Sequence, residues 1–270
     1  MNHLVRDLMR ESLLSCPPGT TLGQAAVMLA RHRIHALVIT DATGQAQGVL
    51  SDMDLLAGEW LSADPASLEA MRTMTAGLLM STPAATIDAS ARASEAAARM
   101  QAEHVHRLIV TEMGRAVGVI SISDVVASLG QSALGRRTVA EAMTRGIVVC
   151  REDTPVSAAA RAMAERRSRS IVVVNADGRP QGIVTGFDLL PLCESGETHQ
   201  PVAQLMHAPI TIHPDATLQQ AADLMLKHHI HRLVVVDPAH PDGIPLGLVS
   251  TSDIVAEMAV PGSVWQTAAG

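Results

Sequence analysis

A chain of 270 residues with 47% hydrophobic content is long enough for one or two domains with well-buried cores. A formal net charge of −7, no Tyr, one Phe and two Trp remove both the electrostatic term and the stacking surfaces on which nucleic-acid affinity rests, so nucleic acid is excluded as a direct ligand. No run approaches 18 uninterrupted apolar residues and MNHLVRDLMRES lacks the apolar core of a signal peptide, so a cytoplasmic protein with no membrane span is expected.

The chain opens with Met9 ahead of a strand near Leu13 to Cys16, a turn at Pro17-Pro18-Gly19 and a helix from Leu22. LVIT and GVL follow as two short β-branched runs, and Ser51-Asp52-Met53-Asp54 before Leu55-Leu56 matches the S/T-x-x-D signal of a helix start. This first unit, about residues 4–57, reads strand, helix, strand, strand, helix. Leu61, Leu68, Met71 and Met74 then predict a further helix within residues 58–75, carrying Trp60 to an interface.

The same unit recurs at about residues 75–129, 138–192 and 201–258. GVLSDMD, GVISISD, GIVTGFD and GLVSTSD align on Asp54, Asp124, Asp188 and Asp253, and the helical segments align without a gap on Ala26, Ala97, Ala160 and Ala222. Further back Met9, Met80, Met143 and Met206 fall in register, at a period of about 63 to 71 residues. Polar linkers occupy residues 130–137 and 193–200, and residues 261–270 form a tail ending in WQTAAG.

Cys16 and Cys150 align with Ile87 and Ile212, so both positions read as buried apolar sites, while Cys193 lies in a linker. The pairs His104/His106 and His229/His231 are spaced H-x-H but lack a third ligand at a usual spacing, and the 14 Met read as core filler, so no metal is expected. No G-x-x-x-x-G-K-S/T loop, G-x-S-x-G elbow, H-E-x-x-H or G-x-G-x-x-G is present, and a non-enzymatic role is expected.

Two constellations carry the chemistry. Ser51 with Asp54, Ser121 with Asp124, Thr185 with Asp188 and Ser250 with Asp253 are helix capping boxes worth about 1 kcal/mol each on one reading. On the other, the ionised carboxylate is acceptor-only and suits the two vicinal hydroxyls of a ribose. The second constellation enters the third predicted element of each unit: His35, His106-Arg107, Arg169 and His231-Arg232. Cations at a helix end are favoured by the helix dipole, and Arg is also suited to phosphate through its planar fork.

The four-fold G-h-h-S/T-x-x-D pattern, where h is aliphatic, resembles the CBS domain, and HRLVVVD followed by GLVSTSD resembles repeats of the gamma subunit of AMP-activated protein kinase. The resemblance covers nearly the whole chain. It implies an α/β fold of four CBS repeats (strand, helix, strand, strand, helix) paired as residues 1–131 and 138–260 into two modules whose clefts bind adenosyl compounds. It further implies that the Asp binds ribose and that His-Arg contacts phosphate, which repeats one (His35-Ala36) and three (Arg169-Ser170) carry only in part. The function implied is regulatory: AMP, ADP or ATP, with no other cofactor, changes conformation and so alters a protein partner, in a monomer or homodimer. S-adenosylmethionine or a cyclic dinucleotide as ligand, or a docking protein with degenerate sites, are the alternatives.

Overall fold

A computed structural model describes residues 3–57, 65–128, 137–192, 197, 199–237, 239 and 243–258 of the chain. Trp60, the linker residues before Arg137, Cys193 and the tail 261–270 lie outside the described residues.

Each repeat builds one three-stranded sheet with the same order and senses. In repeat one, β1 (Ser15–Cys16) runs parallel to β2 (Ala36–Thr40), which pairs antiparallel with β3 (Ala46–Ser51). The sheet of repeat two is β4 (Thr86–Asp88), β5 (Arg107–Glu112) and β6 (Arg115–Ser121), and that of repeat three is β7 (Val149–Arg151), β8 (Ser170–Val174) and β9 (Pro180–Thr185). Repeat four contributes β10 (Thr211–Ile212), β11 (Arg232–Val235) and β12 (Gly247–Ser250).

A parallel pair needs a crossover, supplied here by the helices Leu22–His32, Ala93–Ala102, Val156–Glu165 and Leu218–His228. Their apolar stripes fall at helical spacing: Leu22, Ala25, Ala26 and Leu29 are all buried, as are the four matching residues of each other helix. Each crossover helix is followed within two residues by one with left-handed φ: Arg33, His104, Arg167 and His229. The next residue folds back, as where the Ile34 N–H donates to the Leu29 carbonyl at 3.1 Å and that of Val105 to Met100 at 2.9 Å. That tight reversal delivers His35, His106, Arg169 and His231 to the mouth of the following strand.

The chain forms two compact units, each drawn from separated stretches. One lies within residues 1–13, 85–146 and 210–270 and joins the bodies of repeats two and four around a single core that includes Met100, Val125, Met225 and Ile254. The other lies within residues 14–84 and 147–209 and joins repeats one and three around Leu29, Leu55, Met163 and Leu189. These shared cores run across the division expected at 1–131 and 138–260, and they do not test the pairing of sequential repeats. The helix expected within residues 58–75 is Pro65–Thr73, and Met71 and Met74 pack against the one/three core.

The short segment that leads each repeat docks on its neighbour rather than on its own sheet. The N–H of Val5 donates to the Ala91 carbonyl at 2.8 Å, that of Ala76 to Thr20 at 2.8 Å, that of Val139 to Ala216 at 2.8 Å and that of Val202 to Thr154 at 2.9 Å. A few residues on, Arg10, Ser81, Thr144 and His207 form antiparallel bridges with Val119, Val49, Leu248 and Ile183 at the third strand of the neighbour. The glycine of each G-h-h-S/T-x-x-D motif makes room for this. A Cβ on Gly118 would sit 2.6 Å from the Arg10 carbonyl oxygen, one on Gly247 2.6 Å from that of Thr144, and one on Gly48 2.7 Å from that of Ser81. Met9, Met80, Met143 and Met206 each close over the glycine with their sulfur, which accounts for their register in the sequence.

Cys16 and its aligned residues Ile87 and Ile212 are buried alike, and burial pushes the Cys150 thiol up to about 11, against a smaller opposing hydrogen bond from Thr154. Both cysteines are thus packing residues. Among the described residues no helix is long and apolar enough to cross a membrane.

Candidate ligand site

The two constellations singled out in the sequence meet in every repeat. The N–H of the residue after each motif Ser or Thr donates to the carbonyl of the residue that enters the second strand: Asp52 to His35 at 3.1 Å, Ile122 to His106 at 3.0 Å, Gly186 to Arg169 at 3.3 Å and Thr251 to His231 at 3.0 Å. Strand register sets the next residue along, Arg107 against Ser121 and Arg232 against Ser250. In repeats one and three the same positions are Ala36 against Ser51 and Ser170 against Thr185.

Every motif carboxylate caps its helix with one oxygen. Oδ2 of Asp54 accepts from the Ser51 N–H and hydroxyl, both at 2.7 Å, and Oδ2 of Asp253 from those of Ser250 at 2.7 and 2.6 Å. Asp124 with Ser121 and Asp188 with Thr185 repeat the pattern. The other oxygen separates the repeats. Asp124 Oδ1 accepts from Arg10 Nε at 3.1 Å, and Asp188 Oδ1 meets His207 Nε2 at 2.8 Å. Among the described residues Oδ1 of Asp54 and of Asp253 has no partner, because the residues matching Arg10 and His207 are the short Ser81 and Thr144. Each compact unit therefore holds one latched and one open carboxylate. Burial, reinforced by the charge of Asp52 and opposed by the Ser51 hydrogen bonds and the Arg169 charge, raises the Asp54 carboxyl above the usual range.

The basic residues find different surroundings in the two units. In that of repeats two and four the histidines exchange contacts across the pseudo-symmetric pair: His106 Nδ1 lies 3.1 Å from the Ser252 hydroxyl and His231 Nδ1 lies 3.0 Å from the Ser123 hydroxyl. In that of repeats one and three a carboxylate takes the hydroxyls' place. Asp52, only 3% exposed, holds His35 Nδ1 on Oδ2 at 2.8 Å and accepts from the Arg169 guanidinium on Oδ1 at 3.1 Å. Phe187 meets the His35 ring edge-on at 5.4 Å. Arg169 is thus brought to the site, as its alignment with the histidines predicts, but against an acid.

Sequence reasoning missed Asp52, Ser123, Ser252, Arg10 and His207. A signal existed for two of them: the residue after the motif Ser or Thr is Ile, Gly or Thr in the other repeats and Asp in the first, and the residue after the register Met is Arg in the first. An open groove of about 860 Å³, lined in part by Gln24, Val27, Met28 and Arg72, contains none of the motif residues.

Residues 5–59, 76–130, 139–194 and 202–260 match the family model described as the CBS domain. Among curated relatives, an uncharacterized protein of Methanocaldococcus jannaschii is 26% identical over 96% of this chain and 62% of its own length. The bovine 5'-AMP-activated protein kinase subunit gamma-3 is 41% identical over 24% of this chain and 13% of its own length, so the chain spans less than two thirds of either. The crystal structure of another M. jannaschii protein, reported as a candidate archaeal homolog of g-AMPK, superposes with a TM-score of 0.81 over 94% of this chain and 99% of that one, at 18% identity.

Proposed function

Since the chain belongs to the CBS-domain family, with four repeats, we propose that it is a non-catalytic regulatory protein that binds adenine nucleotides and changes conformation to act on a protein partner. The observation that carries the reading is the site on repeat four: an open carboxylate oxygen on Asp253 beside His231 and Arg232. An open acceptor serves ribose hydroxyls, and an arginine with a histidine beside it serves phosphate. The likeness to a kinase subunit named for 5'-AMP supports the nucleotide over the other adenosyl ligands, and so does Arg at both Arg107 and Arg232. Asp253 is the first site to fill; Asp124 needs its Arg10 contact broken first. The proposed location is the cytoplasm.

Titration calorimetry with AMP, ADP, ATP, S-adenosylmethionine and a cyclic dinucleotide tests this. AMP, ADP or ATP should bind tightest, and Asp253→Asn should weaken that event by about 1–3 kcal/mol in a protein that still melts cooperatively. Binding of no adenosyl compound at millimolar concentration would leave the docking role as the better account.

A further inference from the structure

Repeats one and three share a buried cluster of Asp52, His35 and Arg169 whose acid is not repeated in the unit of repeats two and four. There the position of Asp52 is filled by Ile122 and Thr251, and the histidines rest on hydroxyls. A phosphate arriving at His106 or His231 finds Ile122 or Thr251 where repeat one has its acid. One arriving at His35 or Arg169 must compete with a carboxylate that is 3% exposed and already bonded to the His35 imidazole and the Arg169 guanidinium. Asp52 cannot swing out to water without leaving Arg169, because its Oδ1 is shared between that guanidinium and the Met53 N–H at 2.9 Å.

Asp54, two residues on, keeps an oxygen open for a ribose, so the site is built for a nucleoside at one end and closed to an anion at the other. We propose that Asp52 is a selectivity residue: it reserves the site at Asp54 for adenosyl compounds whose 5′ group is neutral or cationic, such as a thioether or sulfonium. Phosphate-bearing ligands are thereby disfavoured at that site. The inference rests on the adenosyl-binding reading above and refines it, since one chain then senses two classes of adenosyl ligand. The edge of Phe187 beside His35 suits the same preference, as it offers an apolar wall where the other unit has Ser123 and Ser252.

The test is equilibrium dialysis of the full chain against AMP and against 5′-methylthioadenosine. In the wild type, 5′-methylthioadenosine should bind at a site weakened in Asp54→Asn, and AMP at a site weakened in Asp253→Asn. Asp52→Asn keeps a hydrogen-bonding side chain of the same size and releases Arg169 from an ion pair. It should raise AMP affinity at the Asp54-dependent site by at least about tenfold and leave the Asp253-dependent site unchanged.

A folded Asp52→Asn protein with no gain in AMP binding, beside an intact Asp253-dependent event, overturns the role of Asp52 and leaves the nucleotide reading standing. AMP binding by Asp52→Asn but not by the wild type would do the reverse. Should Asp52→Asn fail to fold, Asp124→Asn/Asp253→Asn isolates the unit of repeats one and three with Asp52 in place. There 5′-methylthioadenosine must outbind AMP by at least about tenfold, and equal affinities overturn the proposal.

Discussion

At the scale of single residues, the informative atom is the second oxygen of each motif carboxylate. Asp253→Asn should weaken a ribose-bearing ligand by about 1–3 kcal/mol, the cost of leaving buried donors unpaired, whereas Asp124→Asn should change affinity little while Arg10 is present. Arg10→Ala should add a binding event that Asp124→Asn then removes, a dependence that paired calorimetric titrations read directly. Asp54 adds a pH effect of definite sign. Its carboxyl is raised in the folded chain above the 3.8 of the exposed group, so ionisation favours unfolding as pH climbs from 3.8 through the folded value. Asp54→Asn should therefore melt higher than wild type at neutral pH, and the gap should close as pH falls toward 3.8. A gap that widens in acid would contradict the charge-burial account. The four carboxylates were legible in the sequence because the motif repeats; their inequality was not, since it depends on side chains more than 100 positions away for Asp124 and on the neighbouring segment for Asp188.

At the scale of elements, strand, helix, strand, strand, helix could be read from β-branched runs and helical spacing. What eluded the sequence was the docking of each leading segment on another repeat, since a conserved-spacing Met gives its position in the chain and not its partner in space. The docking makes a prediction about glycine. Gly118→Ala places a methyl 2.6 Å from the Arg10 carbonyl oxygen, and backbone cannot step aside as a flexible side chain can. Overpacking of this kind costs about 1–3 kcal/mol, and Gly247→Ala should match it. At Gly146, where a Cβ meets nothing within 4 Å, alanine should be close to neutral. Denaturant melts of the three variants check the contrast. A further cost is built into the four left-handed residues following the crossover helices, where His104→Gly or His229→Gly should relieve part of a strain of about 1 kcal/mol.

At the scale of the whole molecule, ligand binding and folding are one equilibrium. Nucleotide at a hundredfold excess over its dissociation constant should add roughly 2.7 kcal/mol to unfolding, seen as a rise in melting temperature that saturates logarithmically. Because each core joins two repeats, that stabilisation should spread through the repeat sharing the core, and hydrogen exchange should slow in repeat two when repeat four is filled. Protection confined to repeat four would argue that the shared core does not couple them.

The exchanged leading segments also bear on how the chain is made. Ser81 and His207 follow their docking strands by about 30 residues or fewer, while Arg10 and Thr144 precede theirs by about 100, which at ribosomal speeds of roughly 5–20 residues per second is a wait of many seconds. The segment that waits is a short helix with few partners of its own. The strand edge that would be dangerous if left open never waits long, because its cover either is already synthesised or arrives next. The arrangement thus assigns the delay during translation to the pieces least prone to aggregate.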